Sequence, residues 1–211
     1  ASTDGLSFLT AERSLPAGDP STLPAPPTDG DAVRWLFYTS GTTADPKGAQ
    51  HTDQTITAVA RGMAGRLGVT AEDRNALAFP FTHIGGITWL FTSLMTGMAQ
   101  ICFEAFVPDV VVEVLGEQGV TMAGSGTAFH QAYLAAQRAS EAPIFPELKN
   151  FPGGGAPKPV PFYYEVKEVF GAPIVSGYGL TEAPVLTMGS VDDLDEDLAN
   201  TEGAPMPGVE L

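Results

Sequence analysis

The chain has 211 residues, 44% of them hydrophobic, with 10 lysines and arginines against 25 aspartates and glutamates. That hydrophobic share supports a folded core of one domain or one and a half rather than a disordered segment. A net charge of −15 argues against a nucleic-acid backbone or an anionic membrane surface as partner of the chain as a whole.

The first 32 residues are rich in proline, serine, aspartate and glycine, and Pro16, Pro20, Pro24, Pro26 and Pro27 cannot pair like a central strand, so residues 1–32 read as a linker or tether. No basic and apolar leader follows Ala1-Ser2-Thr3-Asp4, and no signal peptide is expected. An apolar strand is expected over 33–38, then a loop, then a helix over about 52–67 with Ile56, Val59, Ala60, Met63 and Leu67 on one face. A strand near 75–79 precedes the uncharged run Ile84–Phe103. That run is long enough to raise the question of a membrane span. Gly85, Gly86, Gly97, Ser93, Gln100 and three threonines instead divide it into a buried helix 86–96 and a buried strand 98–103. No transmembrane segment is expected, while a peripheral membrane contact and self-association stay open. Cys102, the single cysteine, excludes an internal disulfide, fits a reducing cytoplasm, and reads as an inert core thiol.

Pro108 suits the first turn of a helix ending near Gly119. A short strand over Val120–Ala123 follows, then a helix through Phe129, Tyr133 and Leu134. A strand at 148–151, a helix at 159–169 and a strand at 172–176 complete the alternation. Repeated strand-helix units predict an α/β fold of layered, largely parallel sheets with flanking helices. Val191–Glu202 holds six acidic residues without the spacing of a calcium loop and reads as a solvated loop or short surface helix.

The chemistry sits in two strings. Tyr38-Thr39-Ser40-Gly41-Thr42-Thr43-Ala44-Asp45-Pro46-Lys47-Gly48 follows an apolar strand. Glycine lets backbone N–H groups approach an anion, the hydroxyls of Thr39, Ser40, Thr42 and Thr43 can donate to phosphate oxygens, and Lys47 adds a point charge. It is not a P-loop, because no Ser or Thr follows the lysine. Ser176-Gly177-Tyr178-Gly179-Leu180-Thr181-Glu182 also follows a strand, so both loops can project from the carboxyl ends of strands. A tyrosine ring can stack on a purine, Thr181 can bond a phosphate, and Glu182 can hold magnesium with substrate phosphates completing the shell.

Together, in this order and about 130 residues apart, these strings resemble the signature motifs of the AMP-forming, adenylate-forming superfamily, which includes acyl-CoA synthetases, luciferases and peptide-synthetase adenylation domains. Ala44 departs from the glycine usual there. Phe151–Lys158 resembles the family's Gly-Gly-Ala-Pro turn bordering adenine and acyl group, which carries Gly154, Gly155 and Ala156 over as nucleotide contacts. Pro80–Gly86 resembles the segment whose aromatic or histidine side chain closes over the nucleotide, which makes His83 a candidate. Gly203–Glu210 resembles the family's Gly-x-Pro-x-Pro-Gly turn.

The resemblance implies a ligase that joins a carboxylic acid to the α-phosphate of ATP and then to the thiol of coenzyme A. Thr39, Ser40, Gly41, Thr42, Thr43 and Lys47 would hold the β- and γ-phosphates, Gly177, Tyr178 and Gly179 the adenine, Thr181 the α-phosphate, and Glu182 the magnesium. It further implies that residues 33–211 are part of an adenylation domain lacking the small C-terminal lid with its lysine, and that the piece is catalytically weak alone. Amino-acid-activating members carry an aspartate near Phe81-Thr82-His83, absent here, so a fatty or other apolar acid is expected. Trp89, Phe91, Met95, Phe129 and Tyr133 could line an acyl tunnel or simply form core. His51 and His130 read as packing or helix-terminus residues rather than catalysts, and scattered histidines indicate no zinc site. The alternatives are a non-catalytic nucleotide-binding module and an amino-acid adenylation domain.

Overall fold

In a computed structural model, which describes residues 18–22, 24–25, 28–39, 45–103, 105–124 and 126–211, the chain divides into two units, Ala1–Gly30 and Asp31–Leu211. In the first, Asp19 accepts from the Ser21 amide at 2.9 Å and holds a single 3-10 turn, Pro20–Thr22.

The second unit begins with a hairpin. β1 (Val33–Thr39) pairs antiparallel with β2 (Lys47–Thr52), placing Thr39 opposite Lys47 and Trp35 opposite His51. The sequence leads to a loop running through Gly48 into a helix; the residues from Lys47 to Thr52 instead satisfy the backbone groups of β1. His51 is therefore a strand residue, and this pairing is an antiparallel exception to the expected parallel pattern.

α1 (Asp53–Leu67) starts immediately after β2 because Thr52 forms a capping box. The Thr55 amide donates to the Thr52 hydroxyl oxygen at 3.1 Å, and the Thr52 amide to that of Thr55 at 3.0 Å. Asp53 faces the favourable end of the helix dipole, accepts from Trp35 Nε1 at 2.9 Å and pairs with Arg34 at 2.9 Å. Gly68, with φ of 60°, ends the helix in the left-handed region. Thr52→Ala is expected to lower stability by about 1 kcal/mol, read as a lower urea midpoint at unchanged slope.

β3 (Arg74–Leu77) and β4 (Ala99–Cys102) are parallel, as are β5 (Phe151–Gly154) and β6 (Ile174–Tyr178). The segment expected as a strand at Val120–Ala123 joins them only through bridges of Met122 to Asn75 and to Asn150, with the Ala76 amide donating to the Met122 carbonyl at 2.9 Å. Two short strands, β7 (Thr187–Met188) and β8 (Ala204–Pro205), extend the β6 side antiparallel. The strand expected at 148–151 starts at Phe151 and runs into glycine, because Gly153 and Gly154 pair with Ser176 and Gly177 of β6.

The helices are α2 (Ile84–Thr96), α3 (Pro108–Glu117), α4 (Thr127–Arg138), α5 (Val160–Phe170) and α6 (Asp195–Asn200), the last lying in the acidic stretch. α1 packs against α2, and α4 against both α3 and α5. Their apolar faces and the strands enclose a core that includes Leu77, Met98, Leu115, Met122, Tyr133, Phe151, Tyr163 and Ile174. A smaller core of Phe37, Ile56, Ile84 and Ile87 lies under the hairpin. Cys102, expected in the core, is exposed, although partial desolvation still raises its thiol pKa. It is the last residue of β4, whose only ladder partner among the described strands is β3. No helix among the described residues is long and apolar enough to cross a membrane.

Candidate functional site

Three glycine-rich segments converge beyond the carboxyl ends of β3, β5 and β6, where parallel sheets leave a crevice for ligands. They enclose a cavity of about 560 Å³. One wall is the turn Gly153–Ala156 at the end of β5. A second is Gly177–Thr181 at the end of β6. A third comes from Phe79, His83, Gly85, Thr88 and Trp89, and the start of α4 at Gly126–Phe129 closes the rim.

Glycines contribute backbone to each of these walls, and at Gly179 and Gly177 the absence of a side chain is required by contact. A Cβ on Gly179 would lie 2.0 Å from the Pro184 carbonyl oxygen, one on Gly177 2.7 Å from that of Thr187, and one on Gly154 3.2 Å from that of Gly177. Leu180 and Ala183 exchange amide-to-carbonyl bonds of 2.8 and 3.1 Å, and the Leu186 amide donates to the Tyr178 carbonyl at 2.8 Å, so Tyr178–Leu186 forms a closed loop. Tyr178 presents an exposed ring at the cavity mouth.

His83 caps α2: its Nδ1 accepts from the Gly85 amide at 2.9 Å while its ring stacks on Phe79, centroids 5.1 Å apart. Partial desolvation lowers its pKa below the ordinary value of 6.5. With Nδ1 occupied as an acceptor, the neutral ring carries its proton on Nε2 and offers a donor.

Of the residues singled out from the sequence, His83, Gly154, Gly155, Ala156, Gly177, Tyr178, Gly179 and Thr181 share this cavity. Thr39, Lys47 and Glu182 do not line it; Lys47 and Glu182 are exposed, and the Thr39 hydroxyl donates to the Lys47 carbonyl at 3.4 Å. Ser40, Gly41, Thr42 and Thr43 lie outside the described residues, as does Ala44. The expected tunnel residues separate: Trp89 and Phe129 line the cavity, Phe91 packs edge-on against Trp35, Met95 is exposed, and Tyr133 is fully buried core. His130 is fully buried against Phe151, and burial pulls its pKa down to about 4.

Phe79 and the residues Gly126–Ala128 before Phe129 carry no motif and were not legible as site residues. His51, expected at a helix start as a packing or helix-terminus residue, was legible in neither position nor partner. Its Nε2 lies 2.7 Å from the Thr181 carbonyl oxygen, joining the lysine strand to the Tyr178–Glu182 loop. Among the described residues no group of three histidines, cysteines or carboxylates is placed to hold a metal.

The sequence pattern of AMP-binding enzymes extends over residues 2–211. The chain belongs to the AMP-binding enzyme family. The chain is 31% identical over 188 residues to the 2-succinylbenzoate–CoA ligase of Bacillus subtilis, covering 86% of the chain and 36% of that protein. It is 31% identical over 162 residues to the long-chain-fatty-acid–CoA ligase FadD13 of Mycobacterium tuberculosis, covering 76% of the chain and 31% of that protein. The B. subtilis O-succinylbenzoate coenzyme A synthetase solved with ATP and magnesium superposes with a TM-score of 0.73 at 31% identity, over 84% of the chain and 36% of that structure. The chain thus spans about a third of the length of the curated relatives it matches.

Proposed function

We propose that this chain supplies the nucleotide- and acyl-binding part of an AMP-forming acid–thiol ligase acting on an apolar monocarboxylic acid. The observation that carries the reading is the shared cavity: the Gly153–Ala156 and Gly177–Thr181 turns and His83 line one space of a size for an adenylate. In the first step the acid's carboxylate attacks the α-phosphorus of ATP, the bond to the β-phosphate breaks, and pyrophosphate leaves. In the second, the coenzyme A thiol attacks the acyl carbon and AMP leaves.

Each residue has a task in that sequence. Thr39, Ser40, Gly41, Thr42, Thr43 and Lys47 hold the β- and γ-phosphates, where fixed donors and a lysine stabilise the departing pyrophosphate without reorganisation. Tyr178 stacks on adenine. Gly154, Gly155, Ala156, Gly177 and Gly179 let backbone approach the nucleotide, and Thr181 donates to the α-phosphate. His83 offers its Nε2 proton to the acid's carboxylate or the adenylate oxygens. Glu182, exposed beside Thr181, fits a magnesium ion bound by one carboxylate with phosphates and water filling the shell. Bound there, the ion would neutralise phosphate charge.

The acid is read from what the cavity offers. Its lining includes the apolar side chains of Met63, Trp89, Phe129, Val185 and Met188, and no lysine, arginine, aspartate or glutamate lines it among the described residues. A second carboxylate, as in succinylbenzoate, or an ammonium would be buried without a counter-charge. A cytoplasmic setting suits the ATP and coenzyme A that this reaction consumes.

The test is acid-dependent pyrophosphate–ATP exchange by the protein from the full reading frame. The panel is fatty, aromatic and dicarboxylic acids and amino acids. Exchange is expected with fatty or aromatic monocarboxylic acids and not with dicarboxylic acids or amino acids. Exchange with a dicarboxylic acid alone would overturn the substrate class. Absence of exchange with every acid, ATP still binding, would replace the ligase by a nucleotide-binding module.

A further inference from the structure

His51 has no place in the chemistry above, does not line the cavity, and is 3% exposed. A buried imidazole forfeits hydration, so its polar contacts carry weight. Its Nε2 lies 2.7 Å from the Thr181 carbonyl oxygen, 130 residues along the chain. A carbonyl only accepts, so Nε2 bears the proton and His51 is the donor. Alternate residues of a strand share a face, so His51 lies on the same side of β2 as Ala49 and Lys47. The imidazole is itself fixed by the β1–β2 ladder and by Phe37, whose ring meets it edge-on with centroids 6.2 Å apart.

At the other end of the bond, the loop is stiff. The reciprocal Leu180–Ala183 bonds and the Gly179 contact with Pro184 mean that a pull on the Thr181 carbonyl moves the loop as a unit. The geometry points to His51 as a positioning residue that sets, through its Nε2–H bond to the Thr181 carbonyl, the separation between the Lys47 strand and the Tyr178–Glu182 loop. The inference rests on the adenylate-forming reading: phosphates held from the lysine side and the α-phosphate held by Thr181 must be in line for displacement, and a small misplacement is costly in rate.

The test uses the protein from the full reading frame with its preferred acid. His51→Leu keeps an apolar filler and removes the donor; His51→Gln keeps an amide donor at similar reach. For His51→Leu, kcat and kcat/KM of pyrophosphate exchange are expected to fall together by about tenfold, the signature of a contact that matters in the transition state. His51→Gln is expected to recover to within about threefold of the wild type, the loss of one imperfectly aligned bond. With Thr181→Ala already in place, His51→Leu should cost less, because the group it positions is gone. Unchanged rates in His51→Leu, or equal losses in both variants accompanied by equal losses of thermal stability, would overturn the inference in favour of packing alone. A readout independent of turnover is ¹⁵N NMR of the ligand-free protein, where the His51 proton is expected on Nε2; the Nδ1–H tautomer would also overturn it. A wild type that shows the Nε2 proton but no exchange with any acid would instead sink the ligase reading.

Discussion

Asp73→Ala is expected to remove about 1–3 kcal/mol of unfolding free energy, because it deletes a buried carboxylate and leaves its donors unsatisfied. Asp73 stands just before β3, 2% exposed, and takes four hydrogen bonds. Lys149 Nζ donates at 2.7 Å, Thr121 Oγ1 at 2.8 Å, the Thr70 amide at 2.8 Å and Thr70 Oγ1 at 3.1 Å. These donors tie the start of β3 to the Thr121 segment and to the chain entering β5, so one carboxylate registers three neighbouring segments. Burial alone would raise the Asp73 pKa; the donors outweigh it and hold the carboxyl below its ordinary value of 3.8. A depressed folded-state pKa means the stabilisation is present above the unfolded value and is lost as pH falls through the folded one. Urea unfolding should therefore show the full difference between wild type and Asp73→Ala at neutral pH and a shrinking one below pH 3.8. A difference that stays constant through that range would mean the carboxylate charge is not what stabilises the site.

Gly179→Ala is expected to reduce pyrophosphate exchange by about a hundredfold or more while leaving the global fold in place. Its added methyl would sit 2.0 Å from the Pro184 carbonyl oxygen and 3.0 Å from that of Ala183, backbone atoms that cannot swing aside as a side-chain tip can. The only relief is to open the Tyr178–Leu186 loop, which moves Tyr178 and Thr181 away from the nucleotide together. Exchange kinetics and circular dichroism on the same protein samples check both halves. Near-normal exchange would show that the loop tolerates opening and that Tyr178 and Thr181 do not act through it.

Where the sequence was legible, the pattern was dense in local information. The periodic face expected over about 52–67 placed α1 within a residue or two, the helix expected at 159–169 matches α5 as closely, and the helix read through Phe129, Tyr133 and Leu134 is α4, because such spacing is encoded nearby. The strand pattern was harder. β2 was read as loop and helix start because Lys47-Gly48-Ala49-Gln50 carries no apolar alternation; it exists because β1 needs a partner, which is a tertiary requirement. β5 was displaced because Gly153 and Gly154, normally breakers, are held by Ser176 and Gly177. Cys102 was misplaced because the uncharged stretch around it does not say which strand ends a sheet. The same blindness hid His51: once Lys47–Thr52 is a strand, the four-residue spacing of Lys47 and His51 becomes a shared face, whereas in a loop it says nothing. The Tyr178–Glu182 motif announced its own chemistry, but not that a histidine 130 residues earlier holds it.

The most direct measurement is calorimetric titration of the protein from the full reading frame with a non-hydrolysable acyl-sulfamoyl adenosine carrying an apolar acyl chain. The account predicts one equivalent bound, with binding weakened by both Thr181→Ala and Gly179→Ala and competed by ATP. Binding that neither substitution weakens, or no binding by a folded protein, would contradict a single adenylate site built from these loops.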